Sequence, residues 1–240
     1  MADEKFSYNG MSRVFEVLHQ NRIHYAVLRN YDRILENEIY MEGHGDVDLI
    51  CEDGFRVAEV LKAYPHPGHI KNGMADGVHY YIFVNDNYVS LDLRSVGDNY
   101  YSENWQKDML DRRMMKDGFY VLSDQDYFYS LIYHAIFQKE KLTEEYRNRL
   151  SKMAESLVIK TNESTERDFI GLLEEFMRKN NYHYLYPKDF LVPFREKMII
   201  DKSLLKLNRK DRCKRKCFEL KIGAIAFLVQ IKHLLKKPKS

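Results

Sequence analysis

The stretch Gly43-His44-Gly45-Asp46-Val47-Asp48-Leu49-Ile50 carries the clearest chemistry in the chain. Glycine leads into two aspartates one residue apart, and these run straight into an apolar segment. In a β-strand alternate side chains share a face, so Asp46 and Asp48 project together while Val47 and Leu49 turn to the core. Carboxylates held that close repel each other, and a cation between them relieves the repulsion. A third acid sits on a later strand, where Val89, Leu91 and Leu93 share one face and Ser90, Asp92 and Arg94 the other. Asp46, Asp48 and Asp92 are together a metal-ligand set of the hard, all-oxygen kind, suited to Mg²⁺ or Mn²⁺ and to phosphate chemistry.

The elements that must position these acids follow from periodicity. Met11, Val14, Phe15, Val17 and Leu18 recur at helical spacing, and Ile23 to Leu28 reads as a buried strand ending at Arg29-Asn30. A short helix is expected over 31–40. Asp46 to Cys51 is the acid-bearing strand, followed by an amphipathic helix through Val57, Val60, Leu61 and Tyr64. Pro65 and Pro67 make the next stretch a loop. A hairpin then runs from Val78 to Val84, turns at Asn85-Asp86-Asn87 and returns from Tyr88 to Arg94. Beyond Gly97 the pattern becomes helical, with helices expected at 102–115, from a Ser123/Asp126 capping box to about 141, and at 144–160, 165–179 and 189–207. The expected fold class is α+β: a mixed sheet with flanking helices over 1–100, a helical domain over 101–208, and a basic amphipathic C-terminal helix over 209–240.

Composition is that of a globular chain of 240 residues, 45% hydrophobic and 31% charged, with 18 Tyr and 13 Phe. The formal net charge is +2. It is unevenly spread, about +11 from Arg195 onward against about −9 before it. Three cysteines (Cys51, Cys213, Cys217) make no disulfide framework and read as reduced thiols. The sequence shows no signal-type segment and no apolar run long enough to span a bilayer, so a cytoplasmic location is expected.

The order of elements, the Asp-x-Asp on the second strand and the lone Asp on a later one resemble the polymerase-β-like nucleotidyltransferase superfamily. The resemblance is nearest to its bacterial small-molecule and polysaccharide-associated branch. Its carriers here are Val27-Leu28-Arg29, Gly45-Asp46-Val47-Asp48-Leu49 and Tyr133-His134-Ala135. They cover roughly the first 140 residues. The resemblance implies a Mg²⁺-dependent transferase moving a nucleotidyl or phosphoryl group to a small-molecule or glycan acceptor. Asp46 and Asp48 would bridge the metals, and Asp92 would hold the metal beside the acceptor hydroxyl and take its proton. One departure stands out. The superfamily's phosphate-gripping Gly-Ser pair is absent, and Arg29-Asn30-Tyr31 stands in its place. Arg29 can grip phosphate with a bidentate fork and Asn30 can donate to it; an ordinary surface arginine paired with Asp32 or Glu36 is the plainer alternative. The departure also keeps open a phosphocholine or polyol-phosphate transferase of the same fold, similar to fukutin-like proteins. A non-catalytic, antitoxin-like binding module is the reading outside enzymology.

Other residues are weaker candidates. Gly45 and His44 lie beside the acids and could contact phosphate. His134 among Leu131, Ile132 and Ile136 suits packing better than catalysis. Tyr100, Tyr101 and Trp105 could stack a base or simply pack. His66 and His69 flank prolines and do not make a metal site by themselves. Lys139 and Lys141 could reach phosphates or serve a helix C-terminus. The run Arg209–Lys216 leads into a short apolar helix interrupted by lysine, fit either for an anionic membrane surface through 209–237, at the inner face of the membrane, or for packing on the protein. Aromatic residues are not interleaved with this basic run, which argues against a nucleic acid partner.

Overall fold

Alternation decides the centre of the molecule. Val47, Leu49, Val89, Leu91 and Leu93 are all buried, and each lies next to a residue that faces the other way. In the computed structural model, which describes residues 6–36, 46–70, 74–161, 164–206, 209–218, 220–221 and 224, these residues floor a mixed sheet. The elements in chain order are β1 (Ser7–Tyr8), α1 (Met11–Gln20), β2 (Tyr25–Val27), β3 (Asp46–Cys51), α2 (Gly54–Val60), β4 (Tyr64–Pro65), β5 (His79–Val84), β6 (Asn87–Ser95), α3 (Glu103–Asp111), β7 (Met114–Lys116), β8 (Phe119–Val121), α4 (Asp124–Phe137), α5 (Glu144–Ser156) and α6 (Glu166–Lys179). The strand order is β1-β5-β6-β3-β2-β8-β7, with β4 added on β5. The architecture is α+β, as the sequence indicates.

α1 buries Met11, Val14, Phe15 and Leu18, the i, i+3, i+4, i+7 stripe of a helix lying on a sheet. The β5–β6 hairpin turns at Asn85 and Asp86, both with positive φ, as a two-residue turn of this hand requires. α4 is buried along nearly its whole length and is the post around which α5 and α6 pack. Its N-cap is Ser123, whose hydroxyl accepts the Asp126 N–H at 3.2 Å and donates to the Asp126 carboxylate at 2.7 Å.

Three expectations are corrected. The helix read over 102–115 stops at Asp111, because Asp117 and Gly118 adopt positive φ and fold Met114–Lys116 back on Phe119–Val121 as a hairpin. β8 then pairs with β2 at Val27–Val121, so the sheet continues past residue 100, and one apolar cluster runs through both parts of the chain. The helix read over 189–207 is instead irregular chain with 3-10 turns at Glu196–Met198 and Lys202–Leu204. Pro193 removes a helical donor there, and the backbone bonds outward, Arg195 N–H to the Phe137 carbonyl and Tyr184 N–H to the Leu204 carbonyl. Of the segment 31–40, residues 32–36 form turns and 37–40 lie outside the described residues.

Residues 209–218 are helical, and this first part of the tail packs on the protein. Arg215 is buried and donates to the Val192 carbonyl at 2.8 Å, and the Phe218 ring meets that of Phe190. Most of the apolar part of the tail lies outside the described residues. Among the described residues no helix is long and apolar enough to cross a membrane.

Candidate functional site

Register builds the site. β3 and β6 are parallel neighbours with Asp48 opposite Asp92 and Asp46 opposite Ser90. β5 lies antiparallel on the other side of β6 and puts His79 opposite Asp92. Asp48, Asp92 and His79 therefore form a row across three strands on one face, and Asp46 stands two residues up β3. A cavity of about 290 Å³ opens over this row, lined by Arg29, Asn30, Arg94, Tyr100, His134, Gln138, Lys139 and Asp189 as well as the acids. The helical part of the chain thus closes over the acids carried by the sheet.

Arg29 leaves the end of β2 and is nearly buried, at 8% exposure. Its Nη2 donates to Asp48 Oδ1 at 2.9 Å and to the Tyr100 hydroxyl at 3.0 Å. Burial opposes its charge, yet Asp48 and Tyr100 together hold its pKa well above the ordinary value. The surface pairing with Asp32 or Glu36 is not what the structure shows: Arg29 belongs to the acid face. Asn30 lies at the cavity rim with positive φ, its side-chain oxygen accepting from Arg149 at 3.0 Å. His44 and Gly45 lie outside the described residues.

Arg94 is the residue that sequence reasoning left unassigned. It shares the face of Asp92 through the period of two, which was the available signal. Its Nη2 donates to Asp92 Oδ2 at 3.1 Å and its Nη1 to Asp189 Oδ2 at 3.2 Å, while its guanidinium lies 4.4 Å from the centre of the Tyr100 ring. Asp189 had no signal, since it opens a segment whose spacing suggests a helix and nothing local ties it to the acid-bearing strands. Burial pushes the Asp92 carboxyl above the usual carboxylate range; Arg94 opposes that shift and Asp48 adds to it.

Tyr100, Tyr101 and Trp105 are buried, so they pack rather than offer a stacking platform. Of the three, Tyr100 alone reaches the site, as a brace between the two arginines. His134 is in the cavity wall but buried, with Nδ1 3.1 Å from Gln138 Oε1. Its burial, with Arg29 nearby, holds the imidazole well below its ordinary pKa.

The donor chemistry fits a hard cation with phosphate. Asp46, Asp48, Asp92 and Asp189 line the cavity together with Arg29, Arg94 and Lys139, a mixture that can take a metal and phosphate oxygens. Two buried donors in the cavity lining, Arg94 Nε and Gln138 Nε2, have no hydrogen-bond partner among the described residues. The three predicted carboxylates do not converge as they stand, because Arg29 draws Asp48 and Arg94 draws Asp92. Among the described residues the group that does bring three metal-type donor atoms within 4.8 Å of one another is His69, Asp76 and His79.

No protein-family model and no curated protein matches the chain. Among solved structures it is similar to an antigenic nucleotidyltransferase-like protein from Paracoccidioides brasiliensis. The identity is 14%, over 73% of this chain and 91% of that one, with a TM-score of 0.36. A superposition of that quality leaves the chemistry to be decided by the residues of this chain, and these form an α+β scaffold with a mixed acid and arginine cavity over its central strands.

Proposed function

We propose that the chain is a metal-dependent transferase that moves a nucleotidyl or phosphoryl group onto a small-molecule or glycan acceptor. The observation that supports it best is the β3–β6 register, which sets Asp48 beside Asp92 with Asp46 on the same face. Asp46, Asp48 and Asp92 would hold Mg²⁺ or Mn²⁺. Such an ion, when bound, neutralises phosphate oxygens and orients the attacking and leaving groups. The chain's own residues do the rest. Arg29 and Arg94, held now by Asp48 and Asp92, can turn their forks to the oxygens of a phosphate. Asp92 would take the proton of an acceptor hydroxyl. A second cavity of about 390 Å³ shares Arg94, Tyr100, Asp189 and Leu191 with the first and adds Phe55, Phe190 and Phe218, a surface suited to the acceptor.

A second reading has its own observation. Asp48 and Asp92 each already carry a guanidinium, so the acid face can be neutralised without metal, as a binding module would need. One experiment separates the two. Thermal unfolding is followed with nucleoside triphosphates and with CDP-linked donors, with and without Mg²⁺, for the wild type and for Asp48→Asn. The transferase reading expects stabilisation by a donor only when metal is present, of about 2.7 kcal/mol at a hundredfold excess over the dissociation constant, lost in Asp48→Asn. Transfer by the Asp48→Asn protein at the wild-type rate would sink it. The donor class that stabilises decides between nucleotidyl transfer and phosphocholine or polyol-phosphate transfer.

A further inference from the structure

The His69–Asp76–His79 cluster lies outside the acid row but touches it through His79. His69 ends the short turn Pro67–His69, Asp76 precedes β5, and His79 is the first residue of β5. Asp76 is fixed from behind, its Oδ1 accepting the N–H groups of Val78 and His79 at 2.9 Å each. That leaves Oδ2 facing the two imidazoles, with His79 Nδ1 at 2.7 Å and His69 Nδ1 at 3.3 Å. The two rings are stacked with centroids 3.7 Å apart, so both Nδ1 atoms come to the same oxygen from one side. All three side chains are largely covered, at 24%, 17% and 16% exposure for His69, Asp76 and His79.

We propose that His69 Nδ1, Asp76 Oδ2 and His79 Nδ1 form a binding site for one transition-metal ion of the zinc class. Ligand chemistry selects that class, since two imidazoles with one carboxylate suit Zn²⁺ and its neighbours, whereas Mg²⁺ takes oxygen alone. Dimensions agree with it. Zinc–ligand bonds of about 2.05 Å set the edges of a tetrahedron at about 3.3 Å. The His69–Asp76 separation of 3.3 Å already has that value, and the His79–Asp76 contact of 2.7 Å needs only a small opening. Three protein ligands leave the fourth tetrahedral position for water.

The outer contacts agree as well. With Nδ1 on the metal, the His79 ring proton sits on Nε2, where Asp189 Oδ2 at 3.8 Å and Asp92 Oδ1 at 4.0 Å face it from beyond hydrogen-bond distance. A carboxylate behind a metal-bound histidine is the usual support for its tautomer and ring orientation. The ion would pin the 67–69 turn to the start of β5 and fix His79 against the acid row.

The test uses the full chain carrying Cys213→Ser and Cys217→Ser, so that exposed thiols take no metal. The protein is stripped with a chelator, then titrated with Zn²⁺ against a chromophoric competitor and separately with Co²⁺, in the absence of nucleotide. The expected result is about one equivalent bound with a dissociation constant of roughly 1 μM or tighter, and tetrahedral visible bands from Co²⁺. His69→Gln and Asp76→Asn should each weaken binding by more than about 100-fold, above the 10–100-fold typical of an outer-shell change. Asp76→Asn keeps a side-chain oxygen for the Val78 and His79 N–H groups, so its metal-free thermal unfolding should match the parent and show that the fold is intact. No uptake of Zn²⁺ by the parent, or unchanged affinity in both variants, overturns the site. Because no nucleotide or Mg²⁺ is present, that failure would leave the transferase reading standing.

Discussion

Asp126 and Asp92 are both aspartates beside an arginine, and their surroundings differ in kind. Asp126 is fully buried at the start of α4, and four donors fill its two oxygens: Trp105 Nε1 at 3.0 Å and Arg112 Nη2 at 2.8 Å on one, Arg112 Nε at 2.9 Å and the Ser123 hydroxyl at 2.7 Å on the other. Among the described residues Asp92 has one hydrogen bond, from Arg94 at 3.1 Å, and its other oxygen faces His79 at 4.0 Å, beyond bonding distance. A carboxylate with every lone pair used is a structural joint, here tying α3 and the hairpin after it to α4. A carboxylate with one oxygen left over, its pKa raised by burial, has capacity for something else. Satisfaction, rather than burial or the presence of arginine, separates the joint from the site.

The same substitution at both positions tests that difference most severely. Asp126→Asn places an amide N–H against donors and removes the charge facing Arg112, and should cost about 3 kcal/mol in urea unfolding. Asp92→Asn leaves Arg94 still bonded to Asp189 and lying on Tyr100, so its cost should stay within about 1 kcal/mol. Equal losses would erase the distinction.

An intermediate effect belongs to Asp48. Asp48→Asn removes the counter-charge of Arg29, which is nearly buried and among the described residues keeps the Tyr100 hydroxyl. The expected loss is about 1.5–3 kcal/mol, measured in the same way. A stability equal to wild type would mean that Arg29 finds water or another partner and that the pair is not a buried one.

A pH-dependent effect sharpens the comparison from the lining of the same cavity. His134 is buried with its pKa well below 6.5. The unfolded chain therefore takes up a proton near pH 6.5 that the folded chain refuses. Its contribution is fully present above that pH and is lost as the pH falls below it, by up to about 1.4 kcal/mol per pH unit. His19, His69 and His183 are also lowered and act in the same direction. His134→Gln should flatten the stability profile between about pH 6.5 and 5. An unchanged slope would assign the titration to the other histidines.

Much of this was legible from single residues. The acid-bearing strand was read with its observed ends, Asp46–Cys51, because strand alternation and bounding turn residues are local properties. The Ser123/Asp126 cap was legible for the same reason, though nothing local announced that Asp126 would also hold Trp105 and Arg112. The 189–207 segment misled because apolar residues there are fixed by contacts with α4 and α6 while Pro193 interrupts the helix that their spacing suggests. His66 and His69 gave no metal site by themselves; Asp76 and His79 joined His69 through the pairing of β4 with β5, which spacing along the chain does not encode.

By itself the sequence determined which residues share a face: Asp46 with Asp48, Asp92 with Arg94, and Met11 with Val14, Phe15 and Leu18. Backbone geometry sets those periods within a single element, so they need no partner. The tertiary structure alone decided that Asp48 lies opposite Asp92, that Arg29 and Arg94 neutralise them, and that Asp189 and His134 close the cavity. Register, ion pairing and cavity walls are relations between segments far apart in the chain. They are set by which apolar faces can be buried together, and that is a property of the whole fold.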